Sequence, residues 1–390
     1  MNASTSPAGA HVEIDVLDRY ASGSLEEPAR ESTARHLSSC DECRARLGEF
    51  ASNLALAAAL RAAGPPAAPS AERLPEPWGG YRFLREIGRG GMGVVYEAEQ
   101  QEPQRRVAIK VLGAGFLAGA EVERMLRREA QALARLEHPS VARIYDVGRL
   151  PDGRPYLVME LVDGAALTRF ASERSLSRTA RLRLFAQLCD AVAYAHQRGV
   201  IHRDLKPSNV LVDASGRPRV LDFGLARVLD VEGEASVSQS VDTGRIRGTL
   251  AYMSPEQARG DEQQIDARSD VYSLGVMLYA LLLGRQPYEI PSGNLPEAVR
   301  VICEHAPARP GELDRALRGD LETILRHALE KEPRERYATV AALRDDVLRF
   351  LERQPILARA PSLLYQLGKL VQRHPWFFAT AAAAFVAAVV

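Results

Sequence analysis

Apolar positions in the first part of the chain come in short runs typical of β-strands. Tyr81 to Ile87 and Val94 to Ala98 have the length and the β-branched or aromatic content of strands. Val107 to Lys110 is an apolar strand that ends in a lysine, and Tyr156 to Val162 has the composition of a buried strand. The pattern therefore predicts a small sheet before about residue 162.

After this sheet the apolar residues recur at helical spacing. Between Ala180 and Arg198 five of them share one helical face, and Gly199 ends the pattern. These five residues are Leu182, Phe185, Leu188, Val192 and Ala195. Helices are also predicted for Ile265 to Gly284 and Leu321 to Glu330, and a further helix for Glu121 to Leu136 between the strands.

Length and composition limit the number of domains and the kind of partner. The 390 residues allow two or three domains, and 46% of them are hydrophobic. The 50 basic and 50 acidic side chains give a formal charge of zero, which argues against nucleic acid as the main partner. Cys189 and Cys303 lie in apolar helical contexts and are predicted to be small buried residues.

The candidate chemistry is concentrated in eight consecutive residues, His202 to Asn209. They resemble the catalytic loop of a eukaryotic-type protein kinase. The resemblance implies that Asp204 accepts the proton of a substrate hydroxyl, Lys206 lies against the transferring phosphoryl group, and Asn209 holds a magnesium ion. It therefore implies phosphoryl transfer from ATP with Mg²⁺ or Mn²⁺.

A glycine-rich segment stands between the first two predicted strands. Alone it is a weak signal, because an ordinary glycine-rich hairpin has the same spacing. Its position before the catalytic loop makes it resemble the lid over the ATP phosphates, where glycine lets the backbone approach closely. The ATP contacts that the resemblance implies here are Ile87, Gly88, Gly90, Gly93 and Val95.

Lys110 resembles the strand lysine of the same family, which pairs the α- and β-phosphates of ATP. Its expected partner is Glu129 on the following helix, with Glu121 and Glu123 as the alternatives. Without such an ion pair the long lysine side chain would spread over many rotamers.

The strand that ends near residue 162 runs into what resembles the adenine-binding hinge. The resemblance places Ala108, Met159, Glu160 and Val162 around the nucleotide. Met159 would stand beside the adenine pocket, but it is equally compatible with an ordinary core methionine.

Further family motifs follow the catalytic loop. Asp222, in Asp-Phe-Gly, would chelate magnesium, and Ser-Pro-Glu at 254–256 replaces the Ala-Pro-Glu of the family. Asp270 and Arg336 resemble structural anchors of the family's helical lobe.

The joint match covers residues 81 to about 351, and Lys206 suggests a serine/threonine kinase. The fold implied is α+β and bilobal, with a β-rich small lobe and a helical large lobe.

Regulation is suggested by Arg203, which directly precedes Asp204 and needs a neutralising partner. A phosphorylated activation segment would supply one, and a dimer would allow one copy of the chain to phosphorylate the other. The candidate acceptors are Ser236, Ser238, Ser240, Thr243 and Thr249. Thr243 is the first choice by resemblance to bacterial kinases, whereas Thr249 suits a structural role.

The N-terminal region holds a second motif, His36, Cys40 and Cys43. On one helix that begins at Pro28 these residues would share a face, and their N/S chemistry suits tetrahedral zinc. With His11 as fourth ligand the spacing resembles the zinc-binding anti-sigma domain, which can bind a sigma factor. A packing role or a C-x-x-C redox pair are the alternatives.

The C-terminal region holds a third feature. Residues 376–390 are almost purely apolar and would span about 22 Å as a helix, short of a bilayer core of about 30 Å. Lys369, Arg373 and Trp376 fit a cytoplasmic flank. We predict the start of a membrane span or a short anchor; a buried helix of the kinase is the alternative.

The predicted organisation follows from these features. It comprises a zinc-binding module (1–54), an Ala/Pro-rich linker (55–78), a kinase domain (79–352), a juxtamembrane segment (353–375) and the start of a transmembrane helix (376–390). The lobes would be 79–162 and 163–352. The protein would sit in the inner membrane, single-pass or tail-anchored, with its kinase in the cytoplasm. A pseudokinase scaffold or a sigma-factor switch are the alternatives, and all diagnostic catalytic residues argue against the scaffold.

Overall fold

The computed structural model describes the two ends of the chain sparsely and the middle almost throughout. The described residues are 12, 16, 20, 25–40, 43, 44, 47, 74, 76–90, 93–113, 133, 135–223, 250–291, 294–360, 362–373, 376, 378–380 and 386. They fall into two compact units, Met1–Arg73 and Leu74–Val390.

The first unit contains helix α1 (Ala29–Ser39), which begins directly after Pro28 as predicted. Leu37 and Cys43 are buried together in a small core, against which Val12, Tyr20, Cys40 and Leu47 pack. The helix ends before Cys40, which is extended at φ −118° and ψ 108°. The prediction of one helix running through His36, Cys40 and Cys43 is therefore wrong at this point. The Ser38 hydroxyl donates a hydrogen bond to the Arg35 carbonyl at 2.7 Å, and such local serine bonds compete with the helix and favour its end.

The second unit opens with a five-stranded antiparallel sheet in the order β1-β2-β3-β5-β4. Its strands are β1 (Tyr81–Gly90), β2 (Gly93–Gln100), β3 (Arg105–Leu112), β4 (Ile144–Arg149) and β5 (Pro155–Glu160). The central strand β3 is buried from Val107 to Leu112, because β2 and β5 flank it and both of its faces are covered. The predicted strands are confirmed, although β5 ends at Glu160, before Val162.

A helical lobe follows the sheet. Its helices are α2 (Leu167–Glu173), α3 (Arg178–His196), α4 (Pro255–Arg259), α5 (Ala267–Leu283), α6 (Leu295–Glu304), α7 (Pro310–Leu313), α8 (Asp320–Ala328), α9 (Val340–Leu351) and α10 (Leu363–Arg373). The β-rich lobe followed by a helical lobe confirms the bilobal α+β fold.

Helices α3 and α5 form the centre of this lobe, and both predicted helices are confirmed. The five apolar residues of the predicted α3 face are all fully buried. Ser177 caps α3 by accepting a hydrogen bond from the Ala180 N–H. Asp266 caps α5 in the same way, and Gly284 ends it in the left-handed conformation at φ 70°.

A second sheet has three short strands, one before α2 and two between α3 and α4 in sequence. It consists of β6 (Gly164–Ala166), β7 (Val210–Asp213) and β8 (Pro218–Val220), paired antiparallel in that order. Strands β7 and β8 are a hairpin in which Val210 pairs with Val220. The hairpin therefore brings the residues before β7, which include Asn209, next to the residues after β8, which include Asp222.

None of the helices in the described part of the chain is long and apolar enough to cross a membrane. Most of residues 376–390, where the start of a transmembrane helix was predicted, lie outside the described residues. The transmembrane prediction is therefore not confirmed.

Candidate active site

The predicted catalytic residues lie together in the loop that precedes strand β7. The Asp204 carboxylate is 2.8 Å from the Lys206 ammonium and accepts a hydrogen bond of 3.1 Å from the Asn209 side-chain amide. The same amide donates to the Asp204 backbone carbonyl at 2.8 Å. Asp204 is thus held in one rotamer by a cation on one side and an amide on the other.

His202 fixes the start of this loop. Its Nε2 lies 2.9 Å from the Leu221 carbonyl and its Nδ1 lies 3.3 Å from the Asp204 N–H. A neutral imidazole with its proton on Nε2 satisfies both contacts. The ring is fully buried and packs on Phe223 at 4.7 Å between ring centroids. His202 therefore ties the catalytic loop to the segment that contains Asp222.

Asp270, in the first turn of α5, binds the backbone of the catalytic loop. Its carboxylate accepts hydrogen bonds from the N–H groups of His202 (2.8 Å) and Arg203 (2.9 Å), and lies 2.7 Å from the His196 Nε2. Burial alone would raise the pKa of Asp270, but its bonds to His196 and His202 outweigh burial and keep that pKa below its usual value. Asp270 is thus a buried anion that positions the loop.

Lys110 reaches from the sheet to the same place. Its Nζ lies 2.8 Å from the Asp222 carboxylate, and the lysine side chain is only 8% exposed. Asp222 and Arg203 both have positive φ, 57° and 66°, which is uncommon for residues with a side chain. A positive φ strains the backbone of such residues and persists only where surrounding contacts fix it, as those of Asp270 do at Arg203. Strained residues of this kind cluster at functional sites.

The glycine-rich segment forms the hairpin between β1 and β2. Gly88 pairs with Val95, which in turn pairs with Lys110 on β3, so these predicted ATP contacts are neighbours. A Cβ on Gly93 (φ 144°) would lie 2.0 Å from the Val111 carbonyl oxygen, so this position requires glycine. Gly90 pairs with Gly93 at the tip, and Ile87 is exposed.

The residues predicted to surround adenine lie on the paired strands β3 and β5 and just after β5. Ala108 pairs with Met159, and both are buried. Behind Met159 is a small, mostly apolar cavity that extends to Asp222 and Phe223. Glu160 ends β5; its carboxylate forms an ion pair with Arg219 at 2.5 Å. Val162 follows in non-strand backbone, where the chain passes from one lobe to the other.

Helix α4 connects the catalytic loop to a buried ion pair. Ser254 and Gln257 form a reciprocal capping box at its start, and the Gln257 amide also donates to the Arg203 carbonyl at 2.5 Å. Glu256 makes a bidentate ion pair of 2.8 Å with Arg336, and both side chains are 1% exposed or less. Ser269 adds a third bond to Glu256 at 2.7 Å.

Several predicted residues lie outside the described part of the chain. Glu129 is one of them, so its ion pair with Lys110 stays a prediction. The activation-segment candidates and the proposed fourth zinc ligand are others: Ser236, Ser238, Ser240, Thr243, Thr249 and His11.

The His/Cys group of the first unit is brought together as predicted, although across a helix end. One ligand atom from each of His36, Cys40 and Cys43 lies within 4.8 Å of the others. Zinc–sulfur bonds of about 2.3 Å in a tetrahedron place ligand atoms roughly 3.8 Å apart. The three side chains therefore fit zinc after a small inward movement.

Sequence reasoning missed three residues that support the site: His196, Arg219 and Gln257. His196 and Asp270 are 74 positions apart, and Arg219 and Glu160 are 59 apart, so no local pattern indicates either pair. The S-x-x-Q spacing at residues 254–257 does indicate a helix start, and Gln257 could have been found from it.

Comparison with known proteins agrees with this geometry. Residues 81–348 match the protein kinase domain family. The serine/threonine-protein kinase PknB of Mycobacterium tuberculosis is 40% identical to this chain over 291 residues, 73% of this chain and 44% of PknB. The serine/threonine-protein kinase pkn2 of Myxococcus xanthus is 44% identical over 241 residues, 61% of this chain and 28% of pkn2.

Solved structures give the same result for the fold. The crystal structure of the Mycobacterium tuberculosis PknI kinase domain superposes with a TM-score of 0.54 at 26% identity, covering 70% of this chain and 96% of that domain. The resemblance seen in the catalytic loop is thereby confirmed across both lobes, and the chain belongs to the protein kinase domain family.

Proposed function

We propose that this protein is a serine/threonine protein kinase, which transfers the γ-phosphoryl group of ATP to serine and threonine hydroxyls of other proteins. The observation that carries the proposal is the single hydrogen-bonded group formed by Asp204, Lys206 and Asn209. The relatives PknB and pkn2, which bear the name of serine/threonine-protein kinases, support the same reaction.

In this proposal Asp204 acts as the base. Its carboxylate takes the proton of the attacking hydroxyl, and its place is fixed before substrate arrives by Asn209 and by the loop backbone bound to Asp270. Lys206 lies close enough to Asp204 to contact the phosphoryl group that the hydroxyl attacks. Positioning and charge, rather than covalent chemistry, would supply the rate enhancement.

The nucleotide would lie under the β1–β2 hairpin, with adenine beside Met159 and phosphates near Lys110. Asp222 and Asn209 offer carboxylate and amide oxygens, which are the donors that Mg²⁺ or Mn²⁺ prefers. When bound there, the ion would neutralise the charge of the phosphates. Lys110 already contacts Asp222, so the lysine and the ligand of the ion are held next to each other.

Autophosphorylation of the activation segment is the proposed means of regulation, with one copy of the chain acting on another. Arg203 stands beside the catalytic Asp204 and would pair with the new phosphate. Phosphosite mapping of the full chain after incubation with Mg-ATP tests this directly. The proposal requires phosphate on Ser or Thr between 231 and 249, and modification confined to other regions would contradict it.

Thr243→Ala is expected to lower the turnover of a peptide substrate several-fold, because the activation segment would lose its first-choice phosphate. The measurement is the initial rate of peptide phosphorylation after pre-incubation with Mg-ATP. Thr179→Ala, at an exposed position in the first turn of α3, is the matched control and should leave the rate unchanged. Equal rates for all three proteins would rule out Thr243.

We also propose that the kinase works at the cytoplasmic face of the inner membrane, attached through residues 376–390. The support is the apolar sequence of that segment and the basic residues Lys369 and Arg373 before it. Recovery of the full chain with the membrane fraction, resistant to high salt, is the expected result.

A second function belongs to the first unit, which we propose binds structural zinc. The support is the clustering of His36, Cys40 and Cys43, with Cys43 fully buried and the group packed against a small apolar core. His11 would complete the tetrahedron. A core this small gains much of its stability from a metal. Binding of a sigma factor or another regulator to this module is a proposal from the anti-sigma resemblance.

The purified protein is expected to contain one equivalent of zinc, and Cys40→Ser should lose most of it because a thiolate ligand is removed. Metal content by mass spectrometry is the measurement. Cys303→Ser, which alters a buried thiol of the second unit, should keep the metal. Equal zinc content in the Cys40 and Cys303 variants would contradict the proposal.

A further inference from the structure

Helix α10 is attached to the helical lobe by one side only. Lys369 forms an ion pair of 2.5 Å with Asp320, and both side chains are largely buried, at 14% and 5% exposure. The hydroxyl of Tyr365 accepts a hydrogen bond of 3.0 Å from the Ile356 N–H. The Arg359 guanidinium lies 4.5 Å from the centre of the Tyr365 ring. Polar and aromatic contacts therefore hold this side of the helix.

The opposite side of α10 is an exposed apolar face. At 100° per residue its members fall within an arc of about 120° whose centre lies opposite Tyr365 and Lys369. The members, with their exposures, are Leu363 (86%), Leu364 (84%), Leu367 (52%), Leu370 (47%) and Val371 (39%). We call this set the leucine face.

The orientation of α10 is the reverse of that of an ordinary surface helix. Such a helix packs its apolar stripe on the core, where burial of each leucine side chain stabilises the fold. Here the side with Tyr365 and Lys369 is packed and the leucine face points away from the lobe. A continuous apolar face left exposed in this way indicates an interaction surface.

The charge of the surrounding sequence indicates what covers this face. From residue 354 to residue 390 the chain contains no aspartate or glutamate. Arg359 and Lys369 are paired with Asp320, and the exposed Arg373 at the end of α10 supplies a further positive charge. An anionic lipid surface complements this charge.

Continuity with the following sequence points to the same partner. Trp376, 83% exposed, comes three residues after the end of α10, and the almost purely apolar run to residue 390 begins with it. Tryptophan is enriched at the boundary between lipid and water. We propose that α10 lies in the headgroup region of an anionic bilayer, with the leucine face towards the acyl chains.

This inference rests on the membrane attachment proposed above and adds an orientation to it. Because Lys369 ties α10 to Asp320 at the start of α8, a helix fixed in the bilayer surface would fix the kinase unit as well. The catalytic lobe would then be held against the membrane instead of moving freely on a tether.

The test places a single tryptophan on either side of α10 in the full chain, with Trp78→Phe and Trp376→Phe as background. Leu367→Trp probes the leucine face, and Tyr365→Trp probes the packed side of the same helix. Each protein is bound to vesicles of phosphatidylcholine and phosphatidylglycerol, with and without bromine on the acyl chains.

We expect brominated lipid to quench the Leu367→Trp emission at least threefold more than the Tyr365→Trp emission. If the protein floats with the vesicles but both positions are quenched equally or not at all, the inference is overturned while membrane attachment stands. If the protein does not float with the vesicles, the membrane attachment and the orientation of α10 are both ruled out. Peptide phosphorylation in the same sample then tests the kinase activity separately. A lipid-independent blue shift at position 367 in a dimer would show that a second copy covers the face, which also overturns the proposal.

Discussion

Asp204→Asn is expected to lower the turnover of a peptide substrate by about 10²–10⁴-fold, the usual contribution of a general base. The amide is nearly the same size as the carboxylate but cannot accept the proton of the attacking hydroxyl. It also removes the anion that faces the Lys206 ammonium at 2.8 Å. Because neither change touches the predicted adenine pocket, affinity for ATP should stay within about threefold, a change of less than 1 kcal/mol.

The measurement is kcat for a serine-containing peptide, together with the Kd for ATP from titration calorimetry. Asp152→Asn, at an exposed carboxylate in the turn between β4 and β5, is the matched control and should leave both values unchanged. A kcat within fivefold of wild type for the Asp204 variant would remove Asp204 from the role of base.

Glu256→Gln is expected to lower the free energy of unfolding by about 3–5 kcal/mol, because Arg336 would keep its charge in a buried site without the opposing carboxylate. The two side chains are 1% exposed or less, and the remaining Arg336 bonds go to backbone carbonyls, which do not neutralise it. Urea unfolding followed by circular dichroism gives the free energy.

An exposed pair of similar geometry is the control for Glu256. Glu297 and Arg300 also form a bidentate pair, at 2.7 and 2.8 Å, but on the surface of α6. Glu297→Gln should therefore leave the unfolding midpoint unchanged within error. If the two variants unfold at the same urea concentration, the buried pair does not stabilise the lobe as argued.

The buried pair also gives stability a definite pH dependence. Burial alone would raise the pKa of Glu256, but the hydrogen bonds and charge of Arg336 outweigh burial and keep this pKa below its usual value. A carboxyl group with a depressed folded pKa contributes stability above its unfolded pKa of about 4.3. That contribution is lost as the pH falls through the folded pKa, and the Glu256 variant should lack this part of the acid transition.

Local patterns were sufficient to predict the elements that carry the site. Strand β3 and helix α5 are largely apolar runs because they are buried on all sides, and α3 has apolar residues at helical spacing. The half-buried strand β4 (Ile144–Arg149) escaped prediction because its pattern shows no clean alternation, and it lies at the edge of the sheet.

Contacts between distant parts of the chain could not be predicted in this way. Lys110 and Asp222 are 112 residues apart, and only the packing of the sheet against the helical lobe brings them together. The end of helix α1 at Ser39 depends on competing local bonds, and the attachment of α10 through Lys369 depends on a similar tertiary contact. Sequence motifs therefore identified the reactive residues. The residues that hold them in position could be identified only from the structure.

Transfer of labelled phosphate from Mg-ATP to protein, by the full chain and by its Asp204→Asn variant, tests the central claim most directly. The account predicts label on serine and threonine with the wild-type chain and almost none with the variant, while both bind nucleotide. A wild-type chain that binds Mg-ATP but labels neither itself nor a basic protein substrate would contradict it.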